Sequence, residues 1–195
     1  MSTENSEHSA SAILKSNLKL ILAEQSRLAK ALDYGQVAAI IPYLLSARRI
    51  FVAGAGRSGF AMRSAAMRLM HFGLSVYVVG ETTTPAIEKG DLLLIASGSG
   101  TTGSMVSAAQ KAVAVGANVV ALSTTTDSPL AAVAAHIVVV PAAQKQDHAH
   151  LISKQYAGSL FEQSLLLITD AIFQTLWDMD GRPGAELWKK HANLE

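Results

Sequence analysis

The chain has 195 residues, half of them hydrophobic and 16% charged, with a formal net charge of +1. That length holds one α/β domain with a full core, and the near-neutral balance gives no footprint for nucleic acid or for an anionic membrane. The chain has no cysteine, which excludes disulfides, thiol catalysis and thiolate metal sites.

Met1 to Ser9 are polar and are expected to fray. Met1 to Ala12 carry no apolar signal core and no apolar run reaches membrane length, so the expected location is cytoplasmic, with no membrane partner. From Ala10 to Leu32 the residues Leu14, Leu18, Ile21, Leu28 and Leu32 fall near one helical stripe. A second helix is predicted over Tyr34 to Leu45, and Pro42 inside it predicts a kink or break. These N-terminal helices, residues 10–45, either cover one face of a sheet or pack on a partner chain.

Arg49 to Ala53 is the first predicted strand, followed by Gly54-Ala55-Gly56-Arg57-Ser58-Gly59 and a helix over Phe60 to Phe72. The glycines fit a dinucleotide fingerprint only loosely. Arg57 and Ser58 are more informative, because a guanidinium suits forked contacts with phosphate or sugar hydroxyls; the alternative for Arg57 is a surface salt bridge. Further strands are predicted over Ser75 to Val79, Asp91 to Ala96, Asn118 to Leu122 and His136 to Val140. Helices over Ser104 to Val115 and Ser128 to Ala134 alternate with them. Apolar strands alternating with helices predict a parallel sheet covered on both faces, with ligands bound beyond the carboxyl ends of the strands.

One such end reads Ser97-Gly98-Ser99-Gly100-Thr101-Thr102-Gly103. A strand that stops in small hydroxyl residues just before a helix offers free backbone N–H groups, a positive dipole end and hydroxyl donors. Ser97, Ser99 and Thr102 are the candidate phosphate ligands; the alternative is a turn whose Ser and Thr merely cap the helix. No Lys follows the glycines as a Walker loop requires, so a sugar phosphate fits better than a nucleotide.

Ala142 to Lys154 is polar and without period, a loop able to close over a site. Its His148 and His150 are read as solvated rather than as a metal pair. A long helix is predicted over Gln155 to Met179, with Leu160, Phe161, Leu165, Ile168, Ile172 and Leu176 on its apolar face and Glu162 among them. A carboxylate there is either paired structurally or set for acid–base work. No repeat or linker marks a second domain, so residues 1–195 are read as one domain with C-terminal helices over 155–195.

The pairing of Gly54-Ala55-Gly56-Arg57-Ser58 with Ser97-Gly98-Ser99-Gly100-Thr101-Thr102 resembles the sugar isomerase (SIS) domain. Arg68-Leu69-Met70-His71-Phe72-Gly73, Val78-Val79-Gly80-Glu81-Thr82-Thr83-Thr84-Pro85, Gly158-Ser159-Leu160-Phe161-Glu162-Gln163 and His191-Ala192-Asn193-Leu194-Glu195 are similar to the 6-phospho-3-hexuloisomerase family within it. The resemblance implies a flavodoxin-like three-layer α/β/α sandwich with a five-stranded parallel sheet, assembled as a homotetramer. It also implies isomerisation of D-arabino-hex-3-ulose 6-phosphate to D-fructose 6-phosphate in formaldehyde fixation through ribulose monophosphate, with no metal or organic cofactor. By position, Gly56, Arg57 and Ser58 match the substrate-facing first loop. Ser97, Ser99 and Thr102 match the phosphate loop, and Glu162 the catalytic carboxylate. His71 and His191 are candidates for handling hydroxyl protons or opening the ring. Their alternatives are a helix C-terminal cap and a subunit contact. The chain departs from the superfamily in having Thr101 where Glu is common, and from close relatives in having Tyr156-Ala157 before the long helix. Competing functions are another SIS aldose–ketose isomerase, such as one acting on arabinose 5-phosphate, and a non-catalytic sugar-phosphate sensor.

Overall fold

The computed structural model describes residues 3–147 and 151–194, with side chains from residue 9 onward. His148 and His150 lie outside the described residues. The chain opens with α1 (Thr3–Ala31), α2 (Tyr34–Ala38) and α3 (Ile40–Ser46). It then alternates through β1 (Ile50–Gly54), α4 (Gly56–Phe72), β2 (Val76–Val78), β3 (Leu92–Ala96), α5 (Gly103–Ala114), β4 (Asn118–Ser123), α6 (Pro129–Val133) and β5 (His136–Val139). It closes with α7 (Ser159–Asp180) and α8 (Gly184–Trp188).

The five strands form one parallel sheet in the order β2-β1-β3-β4-β5. Ile50 pairs with Val76 on one side and with Leu92 on the other, so β1 is interior. Every residue of β3 is buried, as are five of the six in β4, which is why these strands read as unbroken apolar runs. Two cores lie on the two faces. One joins Ile50, Val52, Leu92 and Leu94 to α4, α7 and the N-terminal helices. The other packs Phe51, Leu93 and Ile95 against Met105, Ala109 and Ala112 of α5 and Leu130 of α6. The expected α/β/α sandwich is the observed one.

At the amino end of the sheet Asp91 is fully buried. It accepts hydrogen bonds from Arg49 Nη2 at 2.6 Å and from the Glu88 N–H at 2.8 Å, and Arg48 Nε reaches it at 3.2 Å. Burial alone would raise its pKa, but Arg49, the Glu88 amide and Arg48 outweigh it and hold the carboxyl below its ordinary value. This cluster ties the starts of β1 and β3 together.

Four helix boundaries differ from expectation. Helix α1 starts at Thr3, not Ala10, because a helix already nucleated by its apolar stripe extends through polar residues at little cost. The break near Pro42 falls at Ala39, between α2 and α3. Pro42 has no N–H for the Ala38 carbonyl, and its ring crowds that carbonyl, so the proline sits in the first turn of α3 instead. Helix α4 starts at Gly56, four residues before the predicted Phe60, and α7 starts at Ser159, four after Gln155. Both changes move site residues into helical first turns.

Candidate active site

The chain leaves β1 for β2 on one side, then returns to β3 on the other, so the connections after β1 and β3 diverge. Such a switch point opens a crevice beyond the carboxyl ends of the strands. A cleft of ≈ 240 Å³ lies there, and Ser58, Ser97, Ser99 and Thr102 line it together with Lys145 and Phe161. The two glycine-rich turns therefore meet in space. Gly56 takes φ +58°, which the turn out of β1 requires. Gly54 and Gly59 meet a different need: a Cβ on Gly59 would stand 2.6 Å from the Gly54 carbonyl oxygen. The loose GxGxxG pattern thus records a close strand-to-helix approach.

The loop after β3 is held from behind. The Gly98 carbonyl accepts hydrogen bonds from the Thr124 N–H at 3.0 Å, Thr124 Oγ1 at 2.8 Å and Ser123 Oγ at 3.1 Å. Ser97 Oγ and Thr102 Oγ1 are 3.2 Å apart, and Ser99 Oγ bonds Thr101 Oγ1 at 2.9 Å. Thr102 is the N-cap residue of α5 but makes no side-chain cap hydrogen bond. Asp33 and Ser128, by contrast, cap α2 and α6 in the ordinary way. Ala55 before α4 and Gly158 before α7 provide no side-chain cap either. Ala55, Thr102 and Gly158 all line the cleft, so three uncapped helix starts converge on it. Their free N–H groups and positive dipole ends suit an anion.

Glu162 is buried in the first turn of α7, with its side chain 8% exposed. Arg57 Nε lies 3.3 Å from its Oε2, and Lys145 Nζ lies 3.6 Å from its Oε1. Arg57 also donates from Nη1 to Ser159 Oγ at 3.2 Å. Arg57 is therefore no free surface pair: it joins the first turns of α4 and α7. With Phe60 and Gln163, Arg57 and Glu162 line a second concavity of ≈ 300 Å³. The phosphate-type cradle and the carboxylate thus occupy adjoining spaces, with Lys145 reaching between them.

Lys145 is the site residue that the sequence did not mark. It stands in a polar stretch without period, and its only cue is its position after the carboxyl end of β5. A second unmarked group is Glu24 of α1, only 1% exposed. It accepts hydrogen bonds from Ser153 Oγ at 2.6 Å, the Lys154 N–H at 2.7 Å and Gln155 Nε2 at 2.9 Å. Gln163 Nε2 donates to Gln155 Oε1 at 2.9 Å, and Gln25 Nε2 donates to Gln163 Oε1 at 2.9 Å. The turn that leads into α7, where Ala157 takes φ +49°, is latched in this way to the N-terminal helix.

His71 and His191 do not join this site within one chain. Their rings stack at 3.9 Å between centroids, and Trp188 stacks on His191 at 4.3 Å. His71 lies in the last turn of α4, and Gly56 to His71 along that helix is about 22 Å at 1.5 Å per residue. Helix α4 carries His71 back to the other end of the sheet from this chain's own Glu162. Burial, His191 and Arg68 push the His71 pKa down.

Known proteins match this chain in sequence and fold. The SIS domain family profile covers residues 43–167. The chain is 54% identical to the 3-hexulose-6-phosphate isomerase of Mycobacterium gastri over 182 residues, which is 93% of this chain and 92% of that one. It is 42% identical to the 3-hexulose-6-phosphate isomerase of Bacillus subtilis strain 168 over 154 residues, covering 78% of this chain and 83% of that one. A crystal structure from Methanococcus jannaschii, from which a 3-hexulose-6-phosphate isomerase function was inferred, aligns with a TM-score of 0.80 and 30% identity. That alignment covers 92% of this chain and 99% of that one. A serine and threonine cradle at the switch point of a 2-1-3-4-5 parallel sheet, together with these matches, shows that the chain belongs to the SIS domain family.

Proposed function

We propose that this protein is a 3-hexulose-6-phosphate isomerase, converting D-arabino-hex-3-ulose 6-phosphate to D-fructose 6-phosphate. The observation that carries the proposal is the buried Glu162 carboxylate beside a cradle of hydroxyls and uncapped helix starts, in a chain 54% identical to an enzyme of that name. The C6 phosphate occupies the cradle of Ser97, Ser99 and Thr102, with Ser58 on the facing turn and Gly56 shaping it. The sugar chain then runs toward Glu162. The reaction moves a carbonyl from C3 to C2. Glu162 takes the proton from C2, an enediolate forms across C2 and C3, and the same proton is returned to C3 while a hydroxyl proton passes from O2 to O3. Arg57 holds the carboxylate in place and faces the oxygens on which charge develops. The cradle contributes positioning rather than bond making.

Among the described residues, no helix is long and apolar enough to cross a membrane. The enzyme is proposed to act in the cytoplasm, in the ribulose monophosphate route of formaldehyde fixation. Assembly as a homotetramer is supported by exposed apolar side chains along α1, with Ile13, Leu14, Leu18 and Leu22 each more than half exposed. The apolar groove of ≈ 390 Å³ between α1, α2 and α7 adds to that surface.

The test couples ribulose 5-phosphate, formaldehyde and a separate hexulose-phosphate synthase to this protein, and follows fructose 6-phosphate through reduction of NADP. Product is expected with the wild type and not with Glu162→Gln, which still binds sugar phosphate. Near-wild-type turnover by Glu162→Gln removes that residue from the mechanism, and absence of product from the folded wild type discards the function.

A further inference from the structure

The cradle has a charge problem that its hydroxyls do not solve. A phosphate dianion brings two negative charges, whereas serine hydroxyls and peptide N–H groups offer only partial positive ones. Of the described residues that line the 240 Å³ cleft, Lys145 alone carries a formal charge. Its ammonium is turned toward Glu162.

We propose that Lys145 is the counter-cation of the substrate phosphate, and that its transfer from Glu162 to that phosphate frees the carboxylate to act as base. The proposal rests on Glu162 being that base, as argued above. Three features of the geometry support it. First, the segment that carries Lys145 is anchored while its side chain is not. Ala142 and Ala143 are buried, and the Asp147 N–H donates to the Gln144 carbonyl at 3.0 Å, yet the Lys145 side chain is 62% exposed. Second, its stem crosses Gly158 at the start of α7, where a Cβ would stand 3.1 Å from Lys145 Cγ. The glycine leaves the path from Glu162 to the cradle unobstructed. Third, the two cations on Glu162 are held differently. Arg57 is tied to both Glu162 and Ser159, whereas Lys145 stands 3.6 Å from Glu162 Oε1, beyond good hydrogen-bond range. The lysine is solvated and Arg57 stays on the buried carboxylate when it leaves, so this contact parts at little cost.

The order of events follows from these contacts. While both cations hold it, each carboxylate oxygen faces a cation rather than the sugar carbons. An arriving phosphate competes for the ammonium with twice the charge. Lys145 swings into the cradle, and Oε1 is left open toward the sugar carbons while Arg57 keeps the carboxylate oriented. Phosphorylated sugars thereby switch on the base that transforms them, and unphosphorylated ones leave it clamped. A lysine suits this role better than an arginine, being a compact charge on a flexible stem.

The experiment compares full-length wild type, Lys145→Gln and Lys145→Arg, all verified as folded by circular dichroism. Inorganic phosphate binding is measured by calorimetry, and turnover is measured on hex-3-ulose with and without its 6-phosphate. Lys145→Gln is expected to weaken phosphate binding about 10- to 100-fold. It lowers kcat/KM for the phosphorylated sugar and raises the slow turnover of the unphosphorylated one, because Glu162 has lost its clamp. Lys145→Arg recovers most of the phosphate affinity. A merely structural lysine would not move the two substrates in opposite directions. Unchanged phosphate affinity in Lys145→Gln overturns the proposal whether or not any sugar is converted. Weakened phosphate binding with no gain on the unphosphorylated sugar overturns the release of Glu162. A wild type that binds phosphate through Lys145 yet leaves hexulose phosphate unconverted refutes the isomerase function and upholds Lys145 as the phosphate ligand.

Discussion

Replacing Gly59 by alanine should damage the fold and the site together. The new Cβ would stand 2.6 Å from the Gly54 carbonyl oxygen and 3.2 Å from its carbon, both backbone atoms of β1. Ordinary contact begins near 3.4 Å, so the first turn of α4 must move by roughly 3.4 − 2.6 = 0.8 Å. Overpacking of this kind costs about 1–3 kcal/mol, against a gain of up to ~1 kcal/mol from the better helix propensity of alanine. The net loss is about 1–2 kcal/mol, which for a chain of this size lowers Tm by about 2–8 °C. Arg57 rides on the same turn, 3.3 Å from Glu162. Since a 1 Å misplacement can cost about 100-fold in rate, kcat/KM should fall about 10- to 100-fold. Scanning calorimetry and the coupled NADP assay read the two effects. Gly103→Ala, where a Cβ meets nothing within 4 Å, serves as the stability control and should melt no lower than the wild type. A Gly59→Ala protein with wild-type Tm and kcat/KM would refute the close-approach reasoning.

Glu24→Ala removes the buried acceptor of three hydrogen bonds and should cost about 3 kcal/mol, with faster proteolysis in the turn 151–158. Burial alone would raise the Glu24 pKa, but Ser153, the Lys154 amide, Gln155 and Arg27 hold it below its ordinary value. Its stabilising share is therefore full above the unfolded value near about 4.3 and is lost as pH falls through the native one; urea melts across that range should flatten in Glu24→Gln. The depressed His71 pKa has its own signature. Below about pH 6.5 the unfolded chain takes a proton on this imidazole that the native chain refuses, so stability declines as pH falls from there and levels off below the native value. A His71→Gln protein should show a smaller decline over that window, and an identical pH profile would count against the burial of a neutral imidazole.

The strands were legible because both faces of the sheet are covered: Phe51 to Ala53, Leu92 to Ala96 and Val119 to Leu122 are buried whichever way they point. The cradle was legible because it lies in a run of seven residues, Ser97 to Gly103. The helix starts were less so. Arg57 and Ser58 looked like loop residues because glycines surround them, yet those glycines let α4 begin against β1. The first turn of the predicted long helix is absent because Ser153, Lys154 and Gln155 are committed to Glu24, some 130 residues away in sequence. Lys145 was invisible for the same reason: nothing local distinguishes a cation that meets its carboxylate only after the fold closes. The two histidines were candidates for chemistry on residue type and the resemblance, with a helix cap and a subunit contact as alternatives; that their rings stack on each other was not legible, because they meet only after the fold closes.

The division of labour between the two halves of the site bears on how such a protein can diversify. The hydroxyls that line the cleft come from β1, β3 and the turns that leave them, whereas Glu162 and Lys145 come from the last third of the chain. The hydroxyl cradle and the pair of charged groups beside it are thus inherited on separable stretches. A descendant could keep the hydroxyl cradle while drift in the C-terminal segment altered both how tightly a phosphorylated sugar is held and what is done to it.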